Sequence, residues 1–333
     1  MTAEAGLSQP RGLHVFLAVI RLELAMRIFV TGATGVVGRR AVPLLISRGH
    51  QVTAVGRNPG GRAALEKAGA TTIGLDLFDA DAVRRTVAGH DVVVNLATHM
   101  PPTSFRMLLP GAWRENDRVR REGSAILADA AAAGGVKRFV QESFAPIYED
   151  AGDRWIDERA PARPVSYNRT VLDAERSAER FGREGKDWVV LRFAAFYGPD
   201  SRVLADMLKL MARGIAPIPG RPDAWLSSVS HDDAATAVVA ALGVPSGIYN
   251  VCDDEPLTRR DYFAAIADAF ALPHPRPMPA LATKLMGSPG ELLSRSLRMS
   301  NEKLRRSGWS PRYPSAREGY RAVAAEMGRL RAA

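Results

Sequence analysis

The chain has 333 residues, of which 46% are hydrophobic, so it is long enough to bury a substantial core in one large domain or two smaller ones. Its single cysteine, Cys252, excludes an intrachain disulfide and a cysteine-rich metal cluster, and favours a reducing cytoplasm. The net charge of +9 admits nucleic-acid binding, but the arginines are scattered among acidic residues without zinc-finger spacing or an aromatic RNA-binding signature. We therefore predict a surface rich in solvated arginine, no nucleic-acid partner and no metal site.

Residues 1–25 precede the first predicted strand. The apolar run at residues 13–20 is too short to span a bilayer. It has the length of a signal-peptide core, but no A-x-A-like cleavage site follows it. We expect an N-terminal extension without an assigned function and without membrane association.

Short apolar strands and amphipathic helices alternate from Met26 onward. This alternation predicts an α/β fold of the Rossmann type, a doubly wound parallel sheet with right-handed crossovers, over residues 26–198. Residues 229–254 are expected to return to that domain, whereas residues 199–228 and 255–333 are expected to form a smaller C-terminal substrate lobe. After the first strand, the predicted strands are residues 51–55, 71–75, 91–95, 138–141 and 188–192, and the predicted helices are residues 62–68, 79–88, 113–133 and 166–181.

The stretch RIFVTGATGVVGRR, residues 27–40, contains the most informative motif. An apolar strand is followed by three glycines and then by a helical pattern, which is the context of a dinucleotide phosphate loop. Gly32 can make the tight turn, Gly35 lets the backbone approach a pyrophosphate, and Gly38 allows close packing of helix on sheet. Free N–H groups at the start of the helix complete the anion site. The predicted loop residues are Gly32, Thr34, Gly35, Val36, Val37 and Gly38.

The end of the second strand predicts which dinucleotide binds. An acidic residue at this position binds the ribose hydroxyls of NAD, but this chain has Gly56 followed by Arg57. A guanidinium can bind a 2′-phosphate, so we predict NADP as the cofactor and NAD as the second choice; alternatively, Arg57 is a solvated loop residue. Asp76 either accepts a hydrogen bond from the adenine amino group or only starts the next helix. Further cofactor contacts are expected from Leu77, Leu96, Ala97 and Thr98.

Together these segments resemble the short-chain dehydrogenase/reductase superfamily in its extended branch of sugar epimerases and dehydratases. The matching segments are TGATGVVG (31–38), GLDLFD (74–79), NLAT (95–98), LRFAAFYGP (191–199), SHDDAATAV (230–238) and GIYNVCDDEPLT (247–258). The resemblance covers about residues 26–325. It implies a Rossmann fold, a nicotinamide cofactor and a homodimer that pairs through the helices at 113–133 and 166–181.

The resemblance fails at the residues that carry the family's chemistry. In the family, a serine after the fifth strand and a Tyr-x-x-x-Lys helix transfer protons, because the lysine and the cofactor lower the tyrosine pKa. Here Tyr167 is present, but the lysine position holds Val171. The serine position falls on Phe144, with Ser143 one place earlier, and Arg120 stands where many relatives have asparagine. A tyrosine without this activation keeps a pKa of about 10 and acts as a hydrogen-bond donor near pH 7.

We therefore predict non-standard proton transfer, with Tyr167, Ser143 and Glu142 as the candidate catalytic residues. A carboxylate beside Phe144 is expected to be partly desolvated, which would raise its pKa. The alternative is that Glu142 pairs with a nearby arginine.

The predicted activity is NADP-dependent oxidoreduction or epimerase-like chemistry on the carbonyl or hydroxyl group of a small molecule. Two alternatives stay open: a sensor or regulator that binds NADP(H) without catalysis, and a redox-neutral dehydratase or isomerase on the same fold. Several apolar residues favour a hydrophobic or aromatic substrate if they line the pocket, but they can equally cover the core; they are Phe105, Met107, Leu108, Leu109 and Trp113.

Overall fold

The structure, a computed structural model, describes residues 25–101, 106–109, 111–183, 185–214, 217–218 and 220–332. Its central element is a parallel sheet whose strands are β1 (Arg27–Thr31), β2 (Gln51–Val55), β3 (Thr71–Ile73), β4 (Val92–Asn95), β5 (Arg138–Phe144), β6 (Asp187–Phe193) and β7 (Gly247–Val251). Their order across the sheet is β7-β6-β5-β4-β1-β2-β3, and every neighbouring pair is parallel. The predicted doubly wound Rossmann sheet is confirmed. The predicted extension at residues 1–25 lies outside the described residues, except for Ala25.

Helices follow most of the strands. They are α1 (Gly38–Ser47), α2 (Pro59–Lys67), α3 (Ala80–Val87), α4 (Arg114–Arg118), α5 (Ser124–Ala133), α6 (Val171–Gly182), α7 (Arg202–Ala212), α8 (His231–Ala240), α9 (Arg259–Ala269), α10 (Ala280–Leu285), α11 (Ser288–Ser294), α12 (Glu302–Arg306) and α13 (Ala316–Ala332). Among the described residues, none of these helices combines the length and the apolarity needed to cross a bilayer.

Both faces of the sheet are covered, because successive side chains of a strand point to opposite faces. On β1, Ile28 and Val30 are buried with residues of α1, α2 and α8. Phe29, between them, is buried with residues of α3, α5 and α6. A strand that is buried on both faces consists of continuous apolar residues rather than alternating ones, which is why the parallel strands are recognisable in the sequence.

The order of the strands reverses direction at β1. The chain crosses from β1 to β2 and β3 on one side and then returns to β4 on the other side of β1. Connections leave the carboxyl ends of β1 and β4 in opposite directions, and the crevice between them is where open α/β sheets bind ligands. Thr31 at the end of β1 pairs in register with Asn95 at the end of β4.

A separate apolar cluster joins the later helices α7, α9 and α13. At its centre the hydroxyls of Tyr262 and Tyr320 are hydrogen-bonded at 2.7 Å. Four short strand pairs connect the later chain to the sheet domain or brace it internally: Ala195–Tyr197 with Ser228–Ser230, Trp225–Leu226 with Leu257–Thr258, Pro217–Ile218 with Arg276–Pro277, and Trp155–Ile156 with Arg298–Met299. The expected division into a dinucleotide-binding domain and a substrate lobe stays a prediction.

Two predicted helices are interrupted. The segment at 113–133 consists of α4, a π-helical turn (Val119–Gly123) and α5. The segment at 166–181 begins with a 3₁₀ turn (Ser166–Asn168), and α6 starts only at Val171. Hydrophobic periodicity detects a repeat of about 3.6 residues but does not reveal a single wider or tighter turn. Both interruptions lie beside the candidate site.

Candidate active site

Two adjoining cavities lie at the carboxyl edge of the sheet, where the strand order reverses. The larger has a volume of about 680 Å³ and the smaller of about 150 Å³. The walls that they share include Gly32 and Gly35 after β1 and Leu96 and Thr98 after β4. All of the predicted cofactor-binding residues line one cavity or the other: Gly32, Thr34, Gly35, Val36, Val37, Gly38, Arg57, Asp76, Leu77, Leu96, Ala97 and Thr98.

The glycine loop leaves no room for side chains. Gly32 has a φ of +64°, and a Cβ atom there would lie 2.2 Å from the backbone oxygen of Leu96. A Cβ atom on Gly38 would lie 2.4 Å from the backbone oxygen of Gly32. Val37, which precedes α1, makes no side-chain capping hydrogen bond. The backbone N–H groups of Arg39 and Arg40 donate to the carbonyl oxygens of Gly35 and Val37, which folds the loop tightly into the first turn of the helix. This cradle fits the pyrophosphate of a dinucleotide.

The larger cavity has the features of a site for the adenosine half of the cofactor. Arg57 is exposed on its wall. A Cβ atom on Gly56 would lie 2.7 Å from Cγ of Arg62, so the stem of a second arginine occupies the space beside this glycine. The guanidinium of Arg118 lies 3.6 Å from the centroid of the Phe78 ring, and both residues line the cavity. The arginines around this cavity favour an anionic ligand.

Asp76 lies in the same cavity wall, and its carboxylate also shapes the local turn. Its Oδ1 accepts a hydrogen bond of 3.0 Å from the backbone N–H of Phe78. Asp79 is the N-cap of α3: its Oδ1 accepts a hydrogen bond of 3.0 Å from the backbone N–H of Ala82. Asp76 is therefore not the cap of α3, and the proposal that it contacts the adenine stays a prediction.

The smaller cavity has mainly apolar walls. These are formed by Val36, Val37, Met100, Trp113, Phe144, Phe193 and Phe196, and its polar side chains include Arg120, Glu142, Tyr167 and Asn168. Of the apolar residues predicted as pocket or core, Trp113 lines the cavity, Leu109 is exposed, and Phe105 lies outside the described residues.

Tyr167 lies in the 3₁₀ turn, and its ring contacts Trp113 with a distance of 5.0 Å between ring centroids. Burial raises the pKa of Tyr167 to about 12, although the charges of Arg120 and Arg295 act in the opposite direction. At neutral pH this phenol is therefore a hydrogen-bond donor and not a base. Val171 is fully buried at the start of α6 and adds no charge to the site.

Glu142 and Arg120 form a buried ion pair at the cavity wall. The Nη2 of Arg120 donates to Oε1 of Glu142 at 3.3 Å. Burial raises the pKa of Glu142 above its ordinary value; Arg120 opposes this shift, and the charge of Glu175 adds to it. Both expectations for Glu142 agree with the structure: its carboxyl is paired with Arg120, and burial raises its pKa.

Ser143 is not part of the cavity wall. Its hydroxyl donates to Oε1 of Glu175 in α6, and the residue is fully buried. Since neighbouring residues of β5 point to opposite faces, Glu142 and Phe144 face the cavity whereas Ser143 faces the helices behind the sheet. The structure thus brings Tyr167 and Glu142 together at the cavity and separates Ser143 from them.

Ser143 instead belongs to a buried polar network under the site. Arg192 donates through Nε and Nη2 to the two carboxylate oxygens of Glu175, at 2.8 and 2.7 Å, and through Nη1 to the hydroxyl of Tyr148 at 2.9 Å. Tyr148 donates in turn to Oδ1 of Asn250 at 2.7 Å. The network ties β5, α6, β6 and β7 together and holds the strand that presents Glu142.

Comparison with known proteins assigns this architecture. A match to the NAD(P)H-binding family extends over residues 32–245, which contain the glycine loop and most of the cavity walls. The chain belongs to the NAD(P)H-binding family. Within this family it has the extended short-chain dehydrogenase/reductase fold that the sequence motifs imply. The predicted nicotinamide dinucleotide cofactor is thereby confirmed.

Similar proteins span almost the whole chain. The 3-diazoavenalumate denitrifying reductase of a Streptomyces species is 32% identical over 314 residues, which cover 88% of this chain and 99% of the relative. A UDP-glucose 4-epimerase of Thermus thermophilus, solved with NAD, has a TM-score of 0.73 and 26% identity, and the match covers 91% of this chain and 99% of the epimerase. A human epimerase family protein, solved with NADPH, has a TM-score of 0.76 at 21% identity over 90% of this chain and 99% of that protein. These relatives support an NAD(P)-dependent enzyme of the oxidoreductase type.

Sequence reasoning left three contributions to the site unassigned. Arg120 stood out only as a departure from relatives, and nothing in its neighbourhood indicated that it faces Glu142. Asn168 follows Tyr167 in the 3₁₀ turn and also lines the cavity, which a regular helix would not predict. Phe193 and Phe196 come from the end of β6 and the segment after it, and the rule that ligands bind at the carboxyl ends of strands could have placed them here.

Proposed function

We propose that this NAD(P)H-binding protein is an NADP(H)-dependent reductase that acts on the carbonyl or hydroxyl group of a small, largely apolar molecule. The main support is the position of the aromatic-walled cavity, which adjoins the glycine loop and contains a buried carboxyl, Glu142. When bound, the cofactor supplies or accepts the hydride. The apolar walls exclude water from the reacting carbon and favour an aromatic or aliphatic substrate.

In this proposal Glu142 transfers the proton that a Tyr-Lys pair transfers in relatives. Its carboxyl is buried, has a raised pKa and lines the cavity. Tyr167, with a pKa raised to about 12, orients the substrate as a hydrogen-bond donor. Ser143 has no direct role, because its hydroxyl is bonded to Glu175 behind the sheet.

The experiment that tests this function uses the purified full chain with NADPH deuterated at C4 of the nicotinamide. We expect NADPH to bind and to be oxidised by members of a panel of aryl and alkyl ketones and aldehydes, with deuterium recovered on the carbinol carbon of the product. Tight NADPH binding without oxidation by any carbonyl would instead favour the sensor. Product formation with no net loss of NADPH would favour the redox-neutral alternative.

The preference for NADP is tested at Arg57. Replacing Arg57 by alanine is expected to weaken NADPH binding about tenfold, because a charge-assisted hydrogen bond to the 2′-phosphate is lost. The affinity for NADH, which lacks this phosphate, is expected to stay unchanged. Fluorescence titration of both nucleotides measures the two affinities, and Arg306→Ala, on an exposed arginine of α12, is the control. Equal loss of both affinities would argue against a 2′-phosphate contact.

A second candidate reaction is favoured by the Streptomyces relative and by the uncharged side chain of Val171. That relative is named for the reductive removal of nitrogen from a diazo compound. Replacing an aryl diazo group by hydrogen forms one C–H bond with a hydride and breaks the C–N bond, whose electron pair leaves with N₂. Such a reaction needs no proton from the protein, so a site without the Tyr-Lys pair suffices.

This candidate has its own test. The protein is incubated with NADPH and an aryldiazonium salt, and N₂ and NADP⁺ are measured together. Equal amounts of the two products, undiminished by Glu142→Gln, are expected if the chain reduces diazo compounds. Release of N₂ without oxidation of NADPH would contradict it.

A further inference from the structure

The side chain of Arg120 reaches the cavity from an unusual backbone segment. Arg120 lies in the π-helical turn (Val119–Gly123) between α4 and α5, and only 5% of its surface is exposed to solvent. A π-turn inserts an extra residue into a helix and is frequently found at functional sites, because it re-aims the side chains that it carries. Here it brings a guanidinium to the wall of a largely apolar cavity, opposite β5.

The ion pair that Arg120 forms with Glu142 is incomplete. Nε and Nη2 lie on one edge of a guanidinium and can bind both oxygens of a carboxylate in a parallel pair of hydrogen bonds. Only Nη2 is used, at 3.3 Å, while Nε of Arg120 and Oε2 of Glu142 are both buried without a partner among the described residues. The contrast within the same chain is the Arg192–Glu175 pair, whose two bonds are 2.8 and 2.7 Å long.

A buried donor and a buried acceptor that both lack partners are costly unless a ligand supplies them. A ligand atom that satisfies both groups must accept a hydrogen bond from Nε of Arg120. It must also form a second hydrogen bond with Oε2 of Glu142, in which the proton belongs either to the ligand or to the carboxyl. An alcohol oxygen meets this requirement directly. A carbonyl oxygen meets it when Glu142 is protonated, because it then accepts from both Nε of Arg120 and Oε2 of Glu142.

We propose that the open edge of the Arg120–Glu142 pair is the binding site for the oxygen of the reducible group, and that Arg120 is a further catalytic residue. This inference rests on the proposed reductase function and specifies where its substrate binds. The substrate is a ketone or aldehyde, or the corresponding alcohol, whose oxygen lies at this edge and whose apolar remainder contacts the aromatic walls.

Arg120 and Glu142 supply the charge stabilisation and the proton of this step, and the hydride would come from bound NADPH, which would become NADP⁺. During reduction the carbonyl carbon accepts a hydride, and the π electron pair of the C=O bond moves onto the oxygen. Nε of Arg120 stabilises the negative charge as it develops, and a hydrogen-bond donor fixed in a dry site is effective in this role. The proton of Glu142 forms the new O–H bond. The resulting carboxylate remains beside Arg120 until it is protonated again from solvent.

The test compares the binding of 1-phenylethanol with that of ethylbenzene, which has the same aromatic body without the hydroxyl. Both are titrated calorimetrically into the full chain, with and without NADP⁺. The wild type is expected to bind the alcohol about 10- to 100-fold more tightly, since hydrogen bonds to charged groups contribute on that scale. Equal affinities for the two compounds, or no binding of the alcohol, would overturn the proposal without any variant.

Two substitutions test whether Arg120 causes the preference for the alcohol over the hydrocarbon. Arg120→Lys keeps the positive charge but removes Nε and the planar fork, so the preference for the alcohol should fall to about threefold or less. Arg306→Lys, on the exposed α12 pair with Glu302, is the matched control and should keep the full preference. Melting temperature and NADPH affinity verify that each variant is folded. Full retention of the preference in Arg120→Lys would refute the role of Arg120.

The inference and the proposed function can fail separately. A preference for the alcohol that depends on Arg120, in a protein that never oxidises NADPH, would contradict the reductase function and leave the oxygen site in place. Equal affinities for alcohol and hydrocarbon, in a protein that does reduce ketones, would contradict the oxygen site alone.

Discussion

Replacing Glu142 by glutamine is expected to lower kcat for ketone reduction about 10²- to 10⁴-fold, the range for loss of a general acid. Glutamine has nearly the same shape, so the cavity wall is retained, but its amide cannot supply a proton. The affinity for NADPH should change little, because Glu142 does not line the larger cavity, which contains most of the predicted cofactor contacts. Steady-state kinetics and fluorescence titration measure the two quantities. Glu302→Gln, at an exposed glutamate of α12, is the control.

The same residue predicts the pH dependence. Glu142 faces Arg120 across the cavity wall and is influenced by Glu175 behind the sheet, and burial raises its pKa. Only the protonated carboxyl donates, so kcat for reduction should be constant at low pH and fall as the pH rises through the raised pKa. For alcohol oxidation, which needs the carboxylate, the dependence is reversed. A pH profile of Glu142→Gln with the same falling limb would assign the proton to another group.

Replacing Glu175 by alanine is expected to reduce the free energy of unfolding by about 3–5 kcal/mol, because it leaves the buried guanidinium of Arg192 without its partner. Both side chains of this pair are almost completely buried, at 5% and 4% exposed. Urea unfolding followed by circular dichroism measures the change. Glu302→Ala, which breaks the exposed pair with Arg306, should cost about 1 kcal/mol or less.

A double variant tests whether the loss of stability disappears when both charges are removed and the volume is largely refilled. Glu175→Leu combined with Arg192→Met replaces both charges by apolar side chains and should be less destabilised than Glu175→Ala alone, because no unpaired charge remains. If the single and double variants lost the same stability, the buried charge of Arg192 would not be the cause. Ser143 would lose its acceptor in both variants, so its contribution cancels in the comparison.

The cofactor half of the site could be predicted because its residues are local in sequence and their roles follow from backbone geometry. Gly32, with a positive φ and no space for a Cβ atom, and Gly38, packed on the preceding turn, can be recognised from their spacing after a strand. The strands were likewise predictable, since burial on both faces makes them continuous apolar runs. The position of β2 agrees with its expected residues, 51–55.

The positions of the candidate catalytic residues were only partly predictable from the sequence. Strand alternation alone would have separated Ser143 from Glu142, and this signal was present in the sequence. The direction of Arg120 was not predictable, because it depends on a π-turn within a run that otherwise has the periodicity of one helix. The burial of Tyr167 was not predictable either, because it depends on a short 3₁₀ turn and on the packing of Trp113 against its ring.

The wide turn between α4 and α5 also affects how this protein should be aligned with its relatives. One extra residue in a helical turn shifts the phase of everything before it by about 100° relative to everything after it. Deleting a single residue within Val119–Gly123 would restore a continuous α-helix and rotate the guanidinium of Arg120 away from β5. A relative without the insertion therefore presents a different side chain at the same height, and alignments across this helix must allow a one-residue gap.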